Sequence, residues 1–156
     1  MHGNEIVQAA LNNFELVLRE KNGKSAFHPN AKTDLVNVDE QHFTNLVNNL
    51  VDNAIKYSKD EPDITITTHS TGKHFIIRID DKGIGMSRES VKRVFEKFYR
   101  AHTGNLHNVK GFGLGMSYVK TIIDAHKGHI KVDSTLGKGT SFVVEVPLST
   151  KPEKIG

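Results

Sequence analysis

The sequence predicts an α+β two-layer sandwich, in which three main helices pack on one face of a mixed, mostly antiparallel sheet of about five strands. Three observations predict it. Apolar residues recur at three-and-four spacing in separate segments, several of them ended by Gly or Asn. β-branched runs come in pairs around short turns that contain Gly. The chain has 156 residues, 37% of them hydrophobic, with no Cys and no Trp, which is one domain's worth and enough to bury a core without metal or disulfide staples.

Residues 4 to 20 place Ile6, Ala9, Ala10, Phe14, Val17 and Leu18 on one helical face, and Asn22-Gly23 ends the run. Two short strands are expected at 24 to 28 and 34 to 38. After Asp39, a predicted N-cap, Phe43, Leu46, Val47, Leu50, Val51 and Ala54 form a continuous apolar stripe. Ile64 to Thr67 and Phe75 to Ile79 read as a hairpin. Ser87 is placed to cap a helix running to about Phe98, although Ser90 stands where a full capping box needs Glu or Gln. Residues 99 to 112 show no period and are expected to form a mobile loop. Leu114 to His126 is helical again, with Gly128 as its stop, and strands 129 to 133 and 140 to 146 flank a turn at Gly137-Lys138-Gly139. The count is four helices, one of them short, and about six strands. The domain is expected to span 4–149, with 1–3 an expression scar and 150–156 a disordered tail.

Composition excludes several functions. Without Cys there are no disulfides, thiolate nucleophiles or Cys-zinc sites. A net charge of +3, from 21 Lys and Arg against 18 Asp and Glu, with no basic run interleaved with aromatics, gives no reason to expect nucleic acid. No apolar stretch approaches the ~20 residues of a membrane helix, so no direct membrane contact is expected.

Chemistry concentrates in a few segments. On the helix after Asp39, residues His42, Asn45, Asn49, Asn53 and Lys56 fall within an arc of roughly 80° beside the apolar stripe. Carboxamides are mediocre helix formers, but their oxygens can ligate Mg²⁺ and their amides can bond phosphate; a solvated Asn-rich face is the plain alternative. Seven of the 13 glycines fall in three clusters, Gly83/Gly85, Gly111/Gly113/Gly115 and Gly137/Gly139. The middle one opens the helix that begins near Leu114, where a helix N-terminus favours phosphate; ordinary turns are the alternative, since neither a Rossmann nor a Walker pattern is complete. Asp80-Asp81 ends a strand, where a carboxylate can accept from an exocyclic amine or merely cap a turn. Phe95, Phe98 and Tyr99 form either a core face or a docking patch. His126 and His129 have no third metal ligand in view.

In this order the segments resemble the catalytic, ATP-binding domain of sensor histidine kinases, within the Bergerat-fold superfamily that also holds DNA gyrase, heat-shock chaperones and mismatch-repair ATPases. The match runs from about Asp39 to Val146. Asn49-Leu50-Val51-Asp52-Asn53-Ala54-Ile55-Lys56-Tyr57-Ser58 resembles the N box, Asp81-Lys82-Gly83-Ile84-Gly85 the G1 box and Phe95-Glu96-Lys97-Phe98-Tyr99-Arg100 the F box. Gly111-Phe112-Gly113-Leu114-Gly115-Met116 resembles the G2 box, and Gly137-Lys138-Gly139-Thr140 the last glycine motif. Each box is modest, and five in register are specific.

The resemblance implies that Asn53 ligates Mg²⁺ with Asn49 in support, that Lys56 contacts phosphate, that Tyr57 lies against base or sugar, and that Asp81 bonds the adenine amine. It makes Gly83 and Gly85 the shape of the adenine pocket, adds Thr140 to the nucleotide site, and puts Gly111, Gly113, Leu114 and Gly115 around the phosphates under a lid from about 101 to 110. Arg100 and Lys110 are further candidates for phosphate charge, and Phe95, Phe98 and Tyr99 for docking on a helical dimerisation domain. The implied cofactors are ATP and Mg²⁺, and the implied location is cytoplasmic, in a parent protein for which the resemblance leaves a membrane anchor open. The implied partners are that phosphoacceptor domain and, indirectly, a response regulator, and the fragment is expected to be monomeric.

Three departures matter, the first being the bulky Phe112 where many relatives carry a small hydroxyl residue, so that the closed lid is expected to differ in detail. Hydrolysing branches of the superfamily carry a water-activating Glu where this chain has Asn49, so steady hydrolysis is expected to be slow. None of the nine His has the family's phosphoacceptor context: His28 precedes Pro29, His42 precedes Phe43 and His102 precedes Thr103. The acceptor is therefore expected on another chain or another part of the parent protein. A stand-alone anti-sigma-factor-type Ser kinase and an ATP-dependent interaction module without transfer are the alternatives.

Overall fold

The computed structural model describes residues 2–58, 60–96 and 115–149. Within them the elements run α1 (Gly3–Asn13), α2 (Glu15–Glu20), β1 (Lys24–Pro29), α3 (Glu40–Lys56), β2 (Asp63–Ser70), β3 (His74–Asp81), α4 (Arg88–Arg93), α5 (Gly115–Ala125), β4 (His129–Thr135) and β5 (Gly139–Pro147). The strands form a single five-stranded sheet in the order β1-β2-β3-β5-β4. β1 pairs parallel with β2 and every other pairing is antiparallel, so the sheet is mixed and mostly antiparallel.

Alternation decides which face is buried. Ile64 and Ile66 on β2, Phe75, Ile77 and Ile79 on β3, and Phe142, Val144 and Val146 on β5 all turn inward and are almost fully buried. They meet the α3 stripe of Phe43, Leu46, Val47, Leu50, Val51 and Ala54, with Val7 of α1 and Val119 and Ile123 of α5. Phe43 and Phe75 cross edge to face at 6.3 Å, which ties the central helix to the central strand. No helix among the described residues is long and apolar enough to cross a membrane.

Local signals set the element ends. Asp39 caps α3 by accepting from the His42 N–H at 3.0 Å, and Ser87 caps α4 by accepting from the Ser90 N–H at 3.1 Å. Asn22 closes α2 in the left-handed region at φ 53°, with the Gly23 N–H reaching back to the Leu18 carbonyl at 2.7 Å. This is the six-to-one bond of a Schellman cap.

Several expectations change. The helix foreseen over 4 to 20 is two helices, because the chain turns at Phe14, whose N–H bonds back to Leu11; the weak helix formers Asn12 and Asn13 precede the break. The strand foreseen at 34 to 38 is reduced to isolated bridges of Leu35 with His2 and of Val36 with Leu148. Its neighbour Pro147 has no N–H with which to extend a ladder. α4 ends at Arg93 rather than near Phe98, and Arg93 Nε pairs with Glu96 at 2.7 Å across the turn that follows. At the end of α5 the left-handed residue is Lys127, at φ 60°, rather than Gly128. Gly128 is needed for space, since a Cβ there would lie 2.4 Å from the Glu145 carbonyl oxygen. His2 and Gly3 are built into the packed unit: Gly3 donates to the Asp34 carbonyl at 2.7 Å, and a Cβ on it would meet the Phe75 ring at 2.7 Å.

Candidate functional site

The alternation that buries Phe75, Ile77 and Ile79 continues to Asp81, so a carboxylate occupies the last inward position of β3 and is only 8% exposed. Asp80 faces the other way, where it pairs with Arg78 Nε at 3.0 Å and accepts from the Ser141 hydroxyl. The acidic pair therefore divides into a surface ion pair and one buried acid. Burial pushes the Asp81 carboxyl up to about 6, and the neighbouring Asp80 charge adds to the rise. Hydrogen bonds from the backbone of Gly83 and Thr140 pull the other way and are outweighed.

The turn after Asp81 is held from three sides. Asp81 Oδ1 accepts from the Gly83 N–H at 2.9 Å, the Ile84 N–H reaches the Tyr57 carbonyl at 3.0 Å, and the Ile84 carbonyl accepts from Gly137 at 2.7 Å. A Cβ on Gly83 would stand 2.2 Å from the Tyr57 carbonyl oxygen, and one on Gly85, at φ +72°, would stand 2.0 Å from the Thr135 carbonyl oxygen. Neither glycine can carry a side chain without moving backbone. Thus the first and last glycine clusters share one wall, fastened to the C-terminal end of α3.

Ser134 was not foreseen in this wall. Its hydroxyl accepts from the Met86 N–H at 2.8 Å, donates to the Gly139 carbonyl at 3.0 Å and bonds the Thr140 hydroxyl at 2.8 Å. Thr140 faces Asp81 across the β3–β5 register and is 8% exposed. The alternation of β5 through Phe142, Val144 and Val146 places Thr140 inside, whereas nothing local in the sequence marks Ser134.

The other wall is the seam between α3 and α5. Asn49 Oδ1 lies 3.6 Å from where a Gly115 Cβ would be, so the asparagine arc meets the first residue of α5. Toward the start of α3, the Tyr118 hydroxyl accepts from Asn45 Nδ2 at 3.4 Å and lies 3.1 Å from His42 Nδ1. Asn53 is half-buried one turn beyond Asn49, and its carbonyl accepts from the Tyr57 N–H at 3.1 Å. Lys56 is paired with Asp52 at 2.8 Å, and the half-buried Tyr57 is the C-cap residue of α3.

Not every candidate joins this group. Phe95 stacks edge-on against Phe142 at 6.4 Å and packs against the core, the plainer of its two readings. Phe98, Tyr99, Arg100, Lys110, Gly111, Gly113 and Leu114, with the expected lid, lie outside the described residues. Among the described residues no three His, Asp or Glu cluster as metal ligands. His126 turns Nδ1 to the Ile122 carbonyl at 2.8 Å, and its Nε2 lies 3.5 Å from the Asp39 N–H. Asn49 and Asn53, one turn apart, supply neutral oxygens of the kind Mg²⁺ accepts.

The profile described as "Histidine kinase-, DNA gyrase B-, and HSP90-like ATPase" matches residues 38–150. The chain is 46% identical over 151 residues to the sensor protein RprX of Bacteroides fragilis (strain YCH46), covering 95% of this chain and 29% of that protein. It therefore spans less than a third of that relative's length. Its fold is similar to the nucleotide-free catalytic domain of histidine kinase ThkA, with TM-score 0.80 and 27% identity over 94% of this chain and 93% of that one. The mycobacterial sensor histidine kinase MprB matches with TM-score 0.75 and 26% identity, over 94% of this chain and 96% of that one.

Proposed function

The chain belongs to the histidine kinase-, DNA gyrase B- and HSP90-like ATPase family, and on that premise we propose that it binds MgATP and donates the γ-phosphoryl group to a His on a separate helical dimerisation domain. One observation carries the reading: a buried carboxylate, Asp81, sits at the floor of a glycine turn that is tied to the same helix whose Asn49 meets the start of α5. One helix thus spaces an amine-accepting pocket from an end suited to phosphate.

In this reading Asp81 accepts from the adenine amine, while Gly83 and Gly85 let the base approach backbone and Thr140 lines the floor. Tyr57 lies against base or sugar. Asn53, supported by Asn49, would hold Mg²⁺, which neutralises charge between the phosphates when bound. Lys56 exchanges Asp52 for a phosphate oxygen. Gly111, Gly113, Leu114 and Gly115 bring backbone N–H groups to the phosphates, with Arg100 and Lys110 adding charge. Transfer forms a bond from an imidazole nitrogen of the partner His to the γ-phosphorus and breaks the bond to the bridging oxygen, so that ADP leaves. The domain's contribution is positioning and electrostatics. Asn49 offers no basic carboxylate to activate water, which favours transfer over steady hydrolysis.

The domain is proposed to span 4–149, with His2 and Gly3 packed onto it, to act in the cytoplasm as a monomer, and to work with the helical domain and, through it, a response regulator. Phe95, Phe98 and Tyr99 are proposed to contribute to docking on that helical domain. Calorimetric titration with a non-hydrolysable ATP analogue, with and without Mg²⁺ and with the GTP analogue as control, tests the site. Saturable, adenine-selective, Mg²⁺-enhanced binding is expected, and no binding to folded protein would refute it. Adding the helical domain tests transfer: acid-labile phosphate on its His supports the kinase reading. Phosphate on a Ser of an antagonist protein supports the Ser-kinase alternative, and binding without transfer the interaction module.

A further inference from the structure

We infer that Tyr118 is a positioning residue for the triphosphate end of the site: its hydroxyl fixes the axial register of α5 against α3. The inference rests on the MgATP reading above. The two helices meet as an antiparallel seam. Asp39 lies opposite His126, His42 and Asn45 lie opposite Tyr118, and Asn49 lies opposite Gly115. Beside this polar seam the contact is aliphatic, through Met116, Val119 and Ile123, and apolar surfaces alone set register loosely, whereas a directional polar contact specifies it.

Asn45 Nδ2 can only donate, so it donates to the Tyr118 oxygen, and the contact of the same hydroxyl with His42 Nδ1 completes the link, its direction set by the His42 tautomer. The far end is closed in the same way. The Ile122 carbonyl can only accept, so His126 Nδ1 holds the proton and Nε2 is left to accept from the Asp39 N–H. His42 and His126 stack as tilted rings at 6.5 Å. Tyr118 is three residues into α5, about 4.5 Å from Gly115, and Asn45 is eight residues before Asn53, about 12 Å along α3. A slip at the tyrosine is thus passed on to the gap between the asparagine arc and the helix start. The adenine wall is built on β3, β5 and the Tyr57 carbonyl and does not use this seam.

Tyr118→Phe keeps the ring and removes the hydroxyl. In the purified chain, affinity for the Mg²⁺-bound non-hydrolysable ATP analogue, measured by calorimetry, is expected to fall about three- to tenfold, the range of one lost hydrogen bond. Affinity for adenosine, followed by NMR, is expected to stay within about twofold. Adding Asn45→Ala to Tyr118→Phe is expected to cost little more, since both remove the same link. An unchanged affinity for the ATP analogue, or an equal loss for both ligands in a folded variant, would overturn the positioning role while leaving the MgATP reading intact. Wild-type protein that binds neither ligand would overturn both.

Discussion

Replacing Asp81 by Asn separates what this residue costs the fold from what it contributes to the site. The carboxyl is held near 6 against an ordinary value of 3.8, chiefly by burial. The folded state thus favours the neutral form. Its contribution to stability is complete below 3.8 and is lost as pH rises through 6, because the native state binds the proton more tightly than the unfolded chain. A shift of about two units corresponds to roughly 3 kcal/mol by which the ionised form is disfavoured near pH 8. Asn keeps an oxygen for the Gly83 N–H and carries no charge, although its NH₂ group needs a partner that costs about 1 kcal/mol or more if it is missing. Urea unfolding of both proteins at about pH 8 and about pH 4 cancels that pH-independent cost. The variant's advantage is expected to be larger at pH 8 than at pH 4 by about 2.5 kcal/mol, because at pH 4 the unfolded carboxyl is already partly ionised, with a net gain of about 1–3 kcal/mol at pH 8. The same variant is expected to lose its preference for the ATP over the GTP analogue. A stability difference that does not change with pH would refute burial as the cause, and unaltered ATP/GTP discrimination would remove Asp81 from adenine recognition.

Gly83→Ala is expected to cost more than about 2 kcal/mol and to abolish nucleotide binding, since its Cβ would stand 2.2 Å from the Tyr57 carbonyl oxygen. Gly72→Ala, whose Cβ meets nothing, should stay within about 1 kcal/mol of wild type, and chemical denaturation of both variants checks the contrast. Asn53→Ala should weaken the Mg²⁺ enhancement of ATP-analogue binding at least about tenfold while metal-free affinity and melting temperature hold, as titrations with and without Mg²⁺ would show. Asp39→Ala removes the cap on the His42 N–H and should lower unfolding free energy by about 1 kcal/mol in urea.

Much of the fold is legible because the signals are short. Asp39 and Ser87 announce helix starts, Asn22 and Gly23 a helix end, and the period-two runs of β2, β3 and β5 announce which residues face the core. The same period carried two positions further puts Asp81 inside and Asp80 outside, a resolution available from the sequence. The break at Phe14, the loss of a ladder at 34 to 38 and the left-handed Lys127 were not legible, since each depends on what the rest of the chain packs against that segment. In the site, the five motifs mark the glycines and asparagines, but they do not mark Ser134 as the partner of Gly139, nor Tyr118 as the link from Asn45 to His42.

The sequence by itself determined the periodicities, the caps, the glycine clusters and a set of motifs specific enough to identify a family, because each is written within a few residues of chain. Tertiary structure decided that Gly85 abuts the Thr135 carbonyl, that Asn49 meets Gly115, that Tyr118 bridges to His42 and Asn45, and that β1 joins the sheet in parallel at its edge. Those contacts join residues far apart in the chain. Their geometry comes from how the helices seat on a twisted sheet, and the burial that raises the Asp81 carboxyl exists only once that packing is complete.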